Sequence, residues 1–230
     1  MDKRLQRLGI GLVFIGIAFF AAGGYTYVKT QAGAHALQTF SAAQNVTLKY
    51  NDQGQLVDGG KTEGAAAIMS LLTNDWGYAV DASELNPNDP LVNTASEYMY
   101  QMATINYHTL HATTTVTIPE DVVVDGVLVT KAGDYEFVND GKYWTGFDRT
   151  NPIEAAAREQ IWTPTAIALI GTLGVGSVTA SALQMGLGIA ALFALVGMTV
   201  VLTGLGLVWA TRAATERVKA PAFKQVANPA

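Results

Sequence analysis

His108 and His111 are the residues of this chain best placed to do chemistry. They stand three apart, and on a helix side chains at i and i+3 share a face, so two imidazoles could be offered to one metal ion. A working site needs at least one more protein ligand. Glu97 precedes His108 by eleven residues, about 16 Å along a helix at 1.5 Å per residue, and cannot join them. His35 or an Asp from a loop would have to complete the set. The competing reading is two polar residues near a helix C-terminus, where an imidazolium is mildly favoured.

Other chemistries find less support. Gly186, Gly188 and Ala191 copy the spacing of a dinucleotide-binding turn, but no strand precedes them and a long apolar stretch follows. Neither H-E-x-x-H, G-x-S-x-G nor a P-loop occurs. Cysteine is absent, which excludes thiol chemistry and disulfides. The acidic turns at Asp52, Asp58, Asn86 to Asp89 and Asn139-Asp140 lack the alternating spacing of a calcium loop. No catalytic set and no cofactor are therefore expected, the His108/His111 metal pair apart.

The elements that would position these residues begin with two apolar ends. The chain is only 14% charged, with a mean hydropathy of +0.22, more apolar than an ordinary soluble domain. Residues 8–28 carry no charge, and between Glu159 and Arg212 lie 52 uncharged residues. A bilayer core needs about 20 residues of helix. Residues 8–28 and 186–210 satisfy this and are expected to be two antiparallel transmembrane helices, the first an uncleaved anchor rather than a signal peptide. Residues 164–185 are an apolar juxtamembrane segment, either lying at the outer surface or packed on the domain, with a third span as the alternative.

Charge orients the chain. Residues 30–163 carry 17 Asp and Glu against 6 Lys and Arg, a net of −11. Lys3, Arg4 and Arg7 precede the first span, and Arg212, Arg217, Lys219 and Lys224 follow the second. Basic residues near spans stay in the cytoplasm. Residues 1–7 and the basic tail 211–230 are thus expected inside a plasma membrane, and residues 29–163 outside. An even number of crossings follows. So acidic a domain argues against nucleic acid as a partner.

The outer domain reads as small α+β. Residues 30–60 are polar, with one strand candidate at 46–50. A short helix is expected over 65–72, and a longer one opened by Asp89-Pro90 as N-cap and first residue, running to about His111. Its apolar face would hold Leu91, Ala95, Tyr98, Met99, Met102 and Ile105, and its polar face Glu97, Gln101, Thr104, His108 and His111. β-branched runs at 113–118, 122–124 and 127–130 follow, with Asp125-Gly126 as a two-residue hairpin turn. Asn151-Pro152 opens a last helix toward the membrane.

Small residues repeat every seven positions within both spans: Gly9, Gly16 and Gly23 in the first, Ala190, Gly197 and Gly204 in the second. Each set makes a stripe along which another helix can approach closely. No ionisable residue lies inside either span, which counts against a proton or ion path.

The stretches DGKYWTGFDRTNPIEAAAREQIW, Asp140–Trp162, and GVGSVTASALQMGLGIAALFAL, Gly174–Leu195, resemble a family of small, uncharacterised actinobacterial membrane proteins, most clearly over residues 90–210. The resemblance implies an N-terminal anchor, an outer domain and a C-terminal hydrophobic region, and brings no catalytic residues. Some members of such families bear the name of an aromatic-ring-opening dioxygenase. A non-haem iron site of that kind needs two histidines and a carboxylate, and only His108 and His111 are candidates here.

The expected function is a non-enzymatic accessory or scaffold subunit of a cell-envelope complex, respiratory or transport in kind, with the lipid bilayer and other membrane subunits as partners. The alternatives are an extracytoplasmic metal-dependent enzyme using His108 and His111, and a small-ligand or lipid sensor.

Overall fold

The computed structural model describes residues 2–219, with side chains through residue 213. Lys224 of the basic tail lies outside them. Two long apolar helices, α1 (Asp2–Gln44) and α5 (Pro164–Lys219), flank a small α+β region. Both are long and apolar enough to cross a membrane. The described residues divide into a helical hairpin, residues 2–34 and 182–219, and a domain, residues 35–181.

In the hairpin the two helices run antiparallel. Only 17% of the most apolar window of α1 and 11% of that of α5 is buried within the chain. Phe14, Ile17, Leu192, Leu195, Leu202 and Trp209 are all exposed. The core helix of a soluble protein would hide these side chains.

The domain is built around α2 (Thr62–Ser70), α3 (Ala95–Leu110), four strands and α4 (Pro152–Ile161). α2 continues through a π turn at Leu71–Asp75. β1 (Thr113–Ile118) pairs antiparallel with β4 (Gly133–Val138), Val116 opposite Tyr135. β2 (Val122–Val124) and β3 (Val127–Thr130) form a separate hairpin. At its tip Asp125 and Gly126 have φ of 51° and 79°, the left-handed pair that a two-residue turn requires.

Two clusters make the domain core. One gathers Leu48, Ile68, Leu72, Val92, Tyr98, Tyr100 and Ala103, joined by Leu173 and Ala180 of α5. The other holds Val116 and Ile118 of β1 against Phe147, Ala157, Ile161 and Trp162. Leu72 is fully buried, so truncating it to alanine would cost about 2–5 kcal/mol.

Several expectations are corrected. Residues 30–44 are the last turns of α1 rather than irregular chain. They stay helical because Leu37 and Ser41 pack on the domain core. In place of a strand at 46–50 there are isolated bridges, Thr47 to Leu91 and Tyr50 to Leu56. α3 does not begin at Asp89-Pro90. Residues 90–92 are occupied by backbone hydrogen bonds with 46–48, Leu48 N to Pro90 O at 2.8 Å and Val92 N to Val46 O at 2.9 Å. The N-cap is Thr94, in a reciprocal capping box with Glu97. Residues 164–185, by contrast, were open to packing on the domain, and they form the opening turns of α5, with Leu173 and Ala180 in the domain core.

Candidate functional site

His108 sits in the last turn of α3 and His111 is its C-cap. The His108 Nε2 lies 3.0 Å from Asp58 Oδ1, and the His108 side chain is 58% exposed. The His111 Nδ1 is 2.8 Å from the Tyr107 carbonyl. A carbonyl only accepts, so this nitrogen is the donor. The Tyr107 ring lies tilted against His111, with ring centroids 4.3 Å apart.

Asp58 is presented by a tight turn. Asp58 and Lys61 exchange backbone hydrogen bonds at 3.0 Å, and Gly59 and Gly60 between them have φ of 55° and 79°, a conformation that favours glycine. Asp58 is one of the loop aspartates open to the histidine pair from sequence, and the fifty residues between it and His108 leave it undistinguished from the others. The pair orients one imidazole. Neither Glu97 nor His35 is drawn to it, and among the described residues no group of three His, Cys, Asp or Glu could hold a metal ion.

Glu97, expected on a solvated face, is 1% exposed. Its Oε2 accepts from Asn93 N, Thr94 N and the Thr94 hydroxyl at 2.8–3.0 Å. Burial raises its pKa above the ordinary glutamate value, against the opposing pull of these hydrogen bonds. Tyr100 is buried close by, and its hydroxyl and that of Tyr50 have no hydrogen-bond partner among the described residues. Desolvation pushes the Tyr100 phenol far above its usual value, with the Asp58 charge adding to the effect.

A second polar network lies at Lys142. Its Nζ donates to Glu154 Oε2 at 2.7 Å, and Asp148 N donates to the same oxygen at 2.8 Å. Both depress the Glu154 pKa, the Lys142 bond most. Asn139, 1% exposed, donates to the Thr109 and Lys142 carbonyls and accepts from Lys142 N. The Trp162 indole donates to the Lys142 carbonyl at 3.1 Å. The network fastens the chain after β4 to α4. An open cleft of about 460 Å³ beside it is lined by Lys131, Tyr135, Asp148, Thr150 and Ile153, whose polar atoms largely bond one another: Tyr135 to the Lys131 carbonyl, Thr150 to Asp148.

In the hairpin the heptad-spaced small residues meet in pairs. A Cβ on Gly9 would lie 2.7 Å from Gly204 O, one on Gly16 2.7 Å from Gly197 O, and one on Gly23 3.0 Å from Ala190 O. The reverse contacts are equally tight, with Gly204 2.6 Å from Gly9 O and Gly197 2.9 Å from Gly16 O. Backbone stands against backbone at three levels, and at two of them, Gly9 with Gly204 and Gly16 with Gly197, neither residue has room for a Cβ. Beyond these, Gly11, Gly24, Gly188 and Gly206 have open space at the Cβ position.

The residues thus make two structural networks, one imidazole–carboxylate pair and a close helix–helix seam. The chain matches no protein-family model, no curated protein and no solved structure.

Proposed function

We propose that this protein is a non-enzymatic accessory or scaffold subunit of a cell-envelope membrane complex. Its two long helices cross the bilayer as an antiparallel hairpin, both termini face the cytoplasm, and the acidic domain is held outside. The observation that carries the reading is the glycine seam between two helices whose large apolar side chains remain outside the chain's own packing. Lipid gives helices no hydrophobic reason to associate, so close backbone approach is what holds such a pair together. The positive residues beside both spans and the net −11 of residues 30–163 support the orientation.

Native membranes solubilised in mild detergent provide the test. The protein should be recovered with at least one other membrane protein at fixed stoichiometry. Recovery as a lone monomer, under conditions that keep other membrane complexes intact, contradicts the proposal.

A further inference from the structure

The two strand pairs of the domain differ in what they touch. β1 and β4 pack on the core, Val116 and Ile118 within it and Tyr135 and Phe137 against it. β2 and β3 extend from them as a ribbon of their own, tied at its base by the Ala132 amide donating to Asp121 Oδ1 at 2.7 Å. Val122 still packs on the core. Beyond it Val123, Val124, Val127, Leu128 and Val129 are between 44% and 66% exposed. A lone two-stranded ribbon is marginal in water, and so many bare aliphatic side chains on one short element mark a contact site.

The outer edge of β3 is open. Among the described residues β2 and β3 pair only with each other. Exposed edges are ordinarily blunted by charged residues or proline, but β3, Val127–Thr130, contains neither. Beside this edge lies the cleft of about 460 Å³, lined by Val129 and Thr130 of β3, Tyr135 of β4, Asp148, and Pro152 and Ile153 of α4. A strand laid along β3 would turn every second side chain toward that cleft. Asp148 Oδ1 accepts from the Thr150 amide and hydroxyl, and the hydroxyl foremost holds its pKa below the ordinary aspartate value. The cleft thus combines apolar walls with a fixed negative charge.

Charge selects the occupant. The 20 residues from Pro119 to Val138 carry Glu120, Asp121, Asp125, Asp134 and Glu136 against Lys131 alone, a net of −4. That is over a third of the −11 of residues 30–163 in under a sixth of their length. All five acids are exposed. A second copy would bring the same −4 to the contact, and anionic lipid or nucleic acid would be repelled as well. We infer that β3 takes an extended segment of another protein, in which aliphatic residues alternate with Lys or Arg. The segment adds to the β3 edge, sets its aliphatic side chains in the cleft and meets the acids with its basic ones. In strand addition of this kind main-chain hydrogen bonds supply affinity and alternate side chains supply specificity. The assignment rests on the reading of the protein as an accessory subunit and names the surface with which its domain holds a neighbour.

Full-length protein in neutral-detergent micelles, titrated with a short fluorescent peptide alternating valine and lysine, provides the test. The peptide should bind, and counterparts alternating valine with glutamate or serine with lysine should bind at least about tenfold more weakly. Val129→Lys should weaken binding by about tenfold or more, since a like charge then faces the peptide. Leu128→Ser, which leaves the charge unchanged, should weaken it too. Asn88→Lys makes the same charge change on an exposed turn outside the ribbon and should alter binding by less than about twofold, because salt screens it. All three substituted side chains are exposed, so folding is not at issue. No binding of the valine–lysine peptide, equal binding of the serine–lysine peptide, or an equal loss in Asn88→Lys overturns the assignment. Co-purification from native membranes separates the two proposals. A partner retained equally by the parent and by Val129→Lys sinks the β3 contact alone, whereas a parent recovered without any partner contradicts the accessory-subunit reading whatever the peptide does.

Discussion

Gly16 and Gly197 touch through their backbones: a methyl group on Gly16 would sit 2.7 Å from the Gly197 carbonyl oxygen and 2.6 Å from a Val201 methyl. Neither neighbour can yield without separating α1 from α5. Gly16→Leu and Gly197→Leu are therefore expected to destabilise the hairpin by roughly 1–3 kcal/mol, the ordinary cost of overpacking. Gly11→Ala, where the space is open, should be neutral or slightly stabilising. Unfolding titrations in mixed micelles will separate the two classes, and equal behaviour at positions 11 and 16 would show that the contact carries no energy.

Within the domain, the Tyr98 hydroxyl lies 2.7 Å from the Ser41 hydroxyl, and both groups are buried. Ser41 also donates to the Leu37 carbonyl, so Tyr98 is the donor in the shared bond. Tyr98→Phe removes it while keeping the ring against Gly176, and should cost about 1 kcal/mol in domain stability. Ser41→Ala should cost at least as much, because it strands the tyrosine hydroxyl. If both variants melt with the parent, the bond is not formed in solution.

Burial raises the folded-state pKa of Glu97 above its unfolded value. Its contribution to stability is then fully present below the unfolded pKa and lost as pH rises through the folded one. Glu97→Gln keeps an oxygen to accept from Thr94 and cannot ionise. The stability of this variant relative to the parent should increase as pH rises from the acid range toward neutrality. A difference that stays constant with pH would mean that the carboxylate is not desolvated.

Glu154 has the opposite sign. Lys142 and the Asp148 amide hold its folded pKa below the ordinary value, so its contribution is present above the unfolded pKa and is lost as pH falls through the folded one. Glu154→Gln should lower stability at neutral pH by about 1 kcal/mol or less, since the pair is partly solvated. It should also flatten the acid side of the parent's stability profile, measured by thermal melting between neutral and acid pH. A variant whose acid limb matches the parent's would show the pair to be inert.

Much of this architecture was legible where a residue's own chemistry dictates the backbone. Asp125-Gly126 turned the hairpin because both residues tolerate positive φ, and Asn151-Pro152 opened α4 because its side chain accepts from the Ile153 and Glu154 amides. α3 starts at Ala95, beyond the Asp89-Pro90 pair. The sequence carried a second signal, Thr94 with Glu97 three residues on, but the proline at position 90 drew the helix start toward Asp89. What decides between them is tertiary, the pairing of 90–92 with 46–48. The length of α1 beyond Val28 was hidden for a related reason. Hydropathy marks where lipid would end, whereas the helix continues to Gln44, held by contacts to a core assembled from distant sequence. The partnership of His108 with Asp58 left no local trace at all.

The proposed topology, two bilayer crossings with the acidic domain outside, can be read directly on cells. Single cysteines at Lys49 and Lys131, both exposed on the domain, and at Lys3 and Lys224 in the basic ends can be tested with an impermeant thiol reagent on intact cells, with no native cysteine to interfere. The domain positions should label without permeabilisation, and the two terminal positions only after it. Labelling at Lys224 from outside would contradict the two-span hairpin, and protection of Lys49 and Lys131 would contradict the orientation.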